Sequence, residues 1–221
     1  MNFSFLEEYS YYFISGTINT IIIAILTVVF GVIIGTLLAL MKISKNKLLK
    51  FIASAYIEFI RGTPLLVQIS LIYFSVTFPE FSLFGIQMDR FIPGVIAMSI
   101  NSGAYVAEII RAGIQAVDRG QMEAARSLGL TTGQAMSYII IPQAVRNILP
   151  ALGNEFVVVI KESSILSVIG IVELMRSSDI VKSATYQPFE PLIVAALIYF
   201  VLTFTLSRVL GVAERRMRTS D

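Results

Sequence analysis

Long apolar runs separated by short polar breaks organise this chain. The runs at about 16–41, 51–78, 91–111, 148–169 and 192–210 each match or exceed the ~20 mostly apolar residues that cross the hydrocarbon core of a bilayer. They predict five membrane helices in an all-α, integral membrane fold, one domain covering 1–221. One connection is different. The mostly polar stretch 118–147 is too long for a structureless loop inside a compact domain, and it carries helix punctuation. Asp118 with Gln121, and Thr131 with Gln134, have the spacing of capping boxes. QMEAARSL is rich in helix formers, and Gly129 suits the left-handed residue that closes a helix. Pro142 lacks an N–H and is expected to end or kink a second helix, GQAMSYII. The segment is expected to fold as two short helices held at a fixed angle.

Charge orients these elements. Lys42, Lys45, Lys47, Lys50, Arg111, Arg119, Arg126, Arg146, Arg208, Arg215, Arg216 and Arg218 fall on one side, against Arg90, Arg176 and Lys182 on the other. Basic residues concentrate in cytoplasmic loops, so the N-terminus is expected outside, the C-terminus in the cytoplasm and 118–147 on the cytoplasmic side of the membrane. The first basic residue is Lys42 and Glu7 and Glu8 precede the first apolar run, so that run is expected to remain as a span and not to be removed as a signal.

Composition then excludes whole classes of chemistry. Hydrophobic residues make up 56% of the chain and charged ones 14%, with a mean hydropathy of +0.78, which places it in lipid. The net charge of +2 is dispersed and gives no nucleic-acid patch. Cysteine and histidine are both absent, which removes disulfides, thiolate nucleophiles, His-based zinc sites and Ser-His-Asp triads. No GxxxxGK[ST] string occurs, so the chain has no phosphate cradle of its own.

EAARSLG, nine residues and then IIIP is similar to the EAA loop of bacterial ABC importer permeases, EAA-x3-G-x9-I-x-L-P. Glu123, Ala124, Ala125, Gly129, Ile139 and Pro142 match, and Ile141 stands where the pattern has leucine. RGTPLLVQ at 61–68, AYVAEIIRAGI at 104–114 and GNEFVVVIKESSILSVIG at 153–170 resemble the polar amino acid branch of that family, the branch that takes histidine, glutamine and arginine. The resemblance implies the type I importer fold, a pair of permeases around one pathway, two ATP-binding subunits and an extracytoplasmic binding protein. It implies that ATP and Mg²⁺ are bound by the partner ATPase, with no cofactor in this chain. It also implies that a short helix bearing Glu123, Ala124, Ala125, Arg126 and Gly129 docks in the ATPase and passes its motion to the spans.

Ionisable groups inside spans are costly and mark pathways or pair with one another. Glu58 with Arg61, and Glu108 with Arg111, have the spacing of local ion pairs. Arg61 also precedes Gly62, Thr63 and Pro64, a string expected to kink the second span, and it is a candidate for a substrate carboxylate. Asn101 lies near the middle of the third span, either as a substrate contact or as an inter-helix hydrogen bond. Glu155 lies at similar depth in the fourth span with Glu162 two turns on, and nothing nearby in sequence neutralises it. In permeases that this chain resembles, an acid after the Gly-Asn pair suits a basic substrate, which points to arginine, lysine or histidine; glutamine or cystine is the alternative. A different class, an ion-coupled secondary carrier, would use the same acids, but the inverted repeats of such carriers are not evident.

Overall fold

The computed structural model describes residues 2–83 and 85–218, with side chains described as far as Arg215. The chain runs α1 (Phe5–Ile43), α2 (Lys47–Gly62), α3 (Leu65–Ser75), the two-residue strands β1 (Ser82–Leu83) and β2 (Ile86–Gln87), and α4 (Met88–Gln115). There follow α5 (Arg119–Ser127), α6 (Thr132–Ala135), a π turn (Met136–Ile140), α7 (Ile141–Glu162), a 3-10 segment (Ser163–Ile169), α8 (Leu174–Thr185) and α9 (Glu190–Arg218). β1 and β2 form a small antiparallel hairpin, Ser82 opposite Gln87 and Leu83 opposite Ile86.

α1 is the spine. Its 39 residues pass through three successive apolar clusters. The outermost joins Phe5 and Phe13 to Leu174, Val181 and Ala195. The middle one joins Ile23 and Ala24 to Ile69, Phe91, Met98, Val159 and Leu166. The one nearest Lys42 joins Leu38 to Ala53, Ile57, Ala104 and Ala107. Close approach of α1 to α4 depends on a missing side chain at Gly35, where a Cβ would lie 2.6 Å from the Val106 side chain.

α1 and α9 are each long and apolar enough to cross a membrane, and the α2–α3 pair makes a third crossing if the bent pair is one span. By this criterion the expectation of five plain spans is not met in α4 and α7. The reason is compositional. α4 is packed by α1, α2, α3 and α7, so its middle carries Ser99, Asn101, Ser102 and Gly103 where a lipid-facing helix would carry leucine or valine.

The second expected span, 51–78, is in fact broken at Thr63–Pro64, and the axes of α2 and α3 differ by 106°. α3 runs antiparallel along α4, since Gln68 meets Asn101 while Ile69 shares a cluster with Phe91. α3 therefore follows the bundle axis, and α2 lies across it at the end that carries Lys42.

The connection after the fourth span also differs from expectation. The helix ends at Glu162, 163–169 tightens into the 3-10 segment, and α8 forms in what reads as a loop. Glu173 makes α8 possible by accepting from the N–H groups of Met175 at 2.8 Å and Arg176 at 2.7 Å, while the Tyr199 hydroxyl donates to it at 2.7 Å. Burial outweighs these bonds and pushes the Glu173 carboxyl up to about 7. A carboxyl raised on folding stabilises the fold fully below its ordinary value near 4.5, and that contribution fades as pH rises to about 7. Thermal midpoints in detergent should accordingly fall between pH 5 and 7, and the fall should be shallower in Glu173→Gln. An equal slope in the variant would assign the pH dependence to other groups.

Candidate functional site

The expected site residues fall in two regions, the short helices of 118–147 and the polar groups between the long helices. In the first, Asp118 caps α5 through the Gly120 N–H at 2.6 Å, and Thr131 with Gln134 forms a complete capping box at α6. Gly129 closes α5 at φ 87°, as its sequence position indicates. Leu130 N–H returns to the Ala125 carbonyl at 3.2 Å, and an Arg126 Nη donates to the Leu130 carbonyl at 2.8 Å. The second short helix is not a separate unit. α6 passes through the π turn directly into α7, and Pro142 sits in the first turn of α7, so the ladder position it cannot fill is absorbed as a π turn and not as a break.

Glu123, Ala124 and Arg126 are exposed, whereas Ala125 is buried and holds α5 down on its own loop instead of facing a partner. Sequence reasoning did not single out Leu128, 84% exposed, or Tyr138, 73% exposed, which add apolar area beside the exposed EAA residues. Their only sequence signal was apolar character within an otherwise polar segment.

The second region contains the expected substrate contacts, and the structure separates them. Glu155 is buried, and its Oε1 accepts from Ser102 Oγ at 2.9 Å. It forms no ion pair with any described residue, and Lys161 on the same helix is exposed. Asn101, the neighbour of Ser102, turns to another face of α4 and donates to Gln68 Oε1 at 2.9 Å. Gln68 Nε2 in turn reaches the Ile60 carbonyl at 2.7 Å, the Thr63 carbonyl at 3.1 Å and Thr63 Oγ1 at 2.8 Å. Asn101 thus makes the inter-helix hydrogen bond, and it steadies the break between α2 and α3.

Arg61 is 45% exposed and lies toward the end of the bundle near Lys42. It does not pair with Glu58. Its guanidinium stands over the Tyr105 ring at 5.4 Å and 3.9 Å from Glu108, whose carboxylate also holds Lys42 at 2.5 Å and Arg111 at 2.8 Å. One acid therefore ties α1, α2 and α4 together. Gln68, Ser102 and Lys42 were not singled out from sequence; Gln68 was visible as the lone amide in the apolar string LLVQISLIYF.

A family model described as "Binding-protein-dependent transport system inner membrane component" matches residues 28–219. The chain belongs to this family. An arginine transport system permease protein of Bacillus subtilis (strain 168) is 42% identical over 210 residues, 95% of this chain and 94% of that protein. A permease protein of Rickettsia conorii, named provisionally for glutamine transport, is 44% identical over 207 residues, 94% of this chain and 93% of its own length. A crystal structure titled as an amino acid ABC transporter with histidines superposes with a TM-score of 0.89 at 55% identity, covering 98% of this chain and 100% of that one. The inward-facing MetNI methionine ABC transporter shares the fold, with a TM-score of 0.75 at 16% identity and coverage of 98% and 99%.

The Gln68 network gives this binding-protein-dependent permease a specific weakness. Gln68→Leu leaves the carbonyls of Ile60 and Thr63 and the Asn101 amide without their partner, and each stranded buried group costs about 1–3 kcal/mol. The thermal midpoint in detergent should drop by roughly 6 °C or more, taking the low end of about 1 kcal/mol for each of the three groups and about 2 °C per kcal/mol for a chain of this size. An unchanged midpoint would mean that the bend is held by other contacts.

Proposed function

We propose that the chain is the membrane-spanning permease subunit of an ATP-driven amino acid importer, and that its cargo is a cationic amino acid such as arginine, lysine or histidine. In this reading it crosses a bacterial cytoplasmic membrane five times with its N-terminus outside, and it lines the pathway as one of two permease copies or paralogues. A binding protein delivers cargo outside, and two ATPase subunits inside bind ATP and Mg²⁺ and do the hydrolysis. The chain itself performs no catalysis.

The single observation that carries the cargo assignment is Glu155, a carboxylate buried at mid-span with one hydroxyl donor and no base. A cationic side chain arriving there would supply the missing charge, and the low surrounding polarity would strengthen the pairing. The arginine-system relative supports this reading. The relative named for glutamine favours a second one, in which Glu155 hydrogen-bonds a side-chain amide. Uptake by proteoliposomes containing the complete importer separates the two. Glu155→Gln should abolish arginine- and lysine-stimulated transport, by roughly 10²-fold or more for a lost buried charge pair, and leave ATPase assembly intact. Unimpaired arginine uptake by the variant, or uptake of glutamine alone by the wild type, would remove the cationic reading.

The energy-coupling part of the proposal rests on the exposed face of α5 with Leu128. Glu123→Lys and Leu128→Asp should each reduce co-purification of the ATPase and uncouple ATP hydrolysis from uptake, while the permease keeps its thermal midpoint. Retained association and uptake in both variants would exclude this face as the joint.

A further inference from the structure

At the outer end of the bundle, far from Glu155, a partly enclosed cavity of about 240 Å³ lies between α1, the β-hairpin, α4 and α8. Its lining includes Asn19, Gln87, Val172 and two ionisable side chains, Arg90 and Arg176. The basic residues of this face are few, so the meeting of two of them in one cavity is unusual. Only one of them has an acid beside it. Arg90 Nε is buried and donates no hydrogen bond, and among the described residues the one acid that pairs with it is the adjacent Asp89, at 3.6 Å. The Arg176 side chain forms no hydrogen bond or ion pair among the described residues, and it occupies the first turn of α8, where the helix dipole disfavours a cation.

The surrounding acids are committed elsewhere. Glu173 is turned onto the N-terminus of α8 and Tyr199, and Asp179 pairs with Lys182 at 2.6 Å. Glu80 and Asp89 line a separate cavity on the other side of Gln87 and Arg90. What remains is a cationic recess with free guanidinium donors, whose planar forks match a carboxylate in geometry as well as charge.

Resting on the topology and importer reading above, we infer that this recess receives an aspartate or glutamate side chain of the extracytoplasmic binding protein when it docks on the outer face. Two observations favour that source over the cargo. Arg90 and Ser102 are separated by twelve positions on α4, about 18 Å at 1.5 Å per residue, so the recess is remote from the mid-span acid. A recess lined by two arginines also repels the cationic cargo that Glu155 suits. The family's own description makes a binding protein the expected visitor to this face.

The test is binding-protein-stimulated ATPase activity of the reconstituted importer, titrated with the binding protein that stimulates the wild type. Arg90→Gln and Arg176→Gln should raise the half-maximal concentration roughly five- to fifty-fold, with basal hydrolysis and the plateau unchanged, and should flatten its dependence on salt. Arg176→Glu should be repaired by an acid-to-lysine change at one position of the binding protein. The chain has no cysteine, so a fluorophore on Ile180→Cys, at the cavity wall, gives a second readout. Its emission should change on adding binding protein, and fail to change when Arg176→Gln is also present.

Unchanged half-maximal concentrations in both glutamine variants overturn the inference. So does displacement of the binding protein by millimolar free arginine that equimolar glutamate does not reproduce, which would make the recess a cargo site. Loss of the effect in vesicles of purely zwitterionic lipid would assign it to an anionic lipid headgroup and overturn the inference equally. If the binding protein stimulates no hydrolysis in the wild type, the importer reading itself fails instead.

Discussion

A helix broken inside a membrane must find partners for the carbonyls it frees, because lipid offers none. Here one buried amide does this. Gln68 takes the carbonyls of Ile60 and Thr63 through its nitrogen and receives Asn101 through its oxygen, so the carbonyls at the break between α2 and α3 are satisfied and tied to α4 in the same stroke. Much else depends on these bonds. Because the break is satisfied, α2 can turn across the bundle, bury Ala53, Ile57 and Ile60 on α1 and α4, and leave Leu48, Phe51 and Phe59 to lipid beside Lys47 and Lys50. Because α2 turns, Arg61 comes under Tyr105 and joins Lys42 and Arg111 on Glu108.

α4 is the element on which these constraints converge. It faces α3 through Asn101, α1 through the glycine contacts, α7 through the Ser102–Glu155 bond and the end of the bundle near Lys42 through Glu108. A helix wrapped on so many sides needs little lipophilic surface, which accounts for its polar middle. It also provides a continuous rigid link between the loop leading to α5 and the depth of Glu155. α6 continues through the π turn into α7, so the short helices and Glu155 are joined along one helical path that packs on α4.

The pattern of apolar runs revealed the membrane class and the location of each long helix, since hydrophobicity and length are local properties. The EAA residues and the caps at Asp118, Thr131 and Gly129 were equally legible, because capping chemistry acts over three or four residues. What sequence could not supply was direction and partnership. The Gly62-Thr63-Pro64 string announced a kink but not one of 106°, which is set by how α2 finds Leu38 and Ala104 far along the chain. α8 was hidden because its cap is a buried glutamate held from outside by Tyr199, a contact across the outer connection. Asn101 and Arg61 read as pathway residues because an ionisable or amide group in a span is costly, yet both have found local partners that no spacing rule discloses.

Glu155 is the exception that gives the arrangement its direction. The mid-span amide and the Glu108 carboxylate are each matched by a neighbour, whereas Glu155 has one serine hydroxyl and no base, and in the recess Arg90 meets only Asp89 at 3.6 Å while Arg176 has no acid partner among the described residues. The two unmatched charges are opposite in sign and lie at different depths. At Glu155 this is costly, since isolated charge in low dielectric opposes folding, whereas Arg176 is exposed and Arg90 partly so. In the proposed reading their complements come from outside the chain, a cationic cargo at the mid-span and a docking acid at the recess. On that reading opposite signs at the two stations would keep the cargo from lodging at the docking site and the docking acid from competing for the passage, so that delivery and translocation would be separate steps.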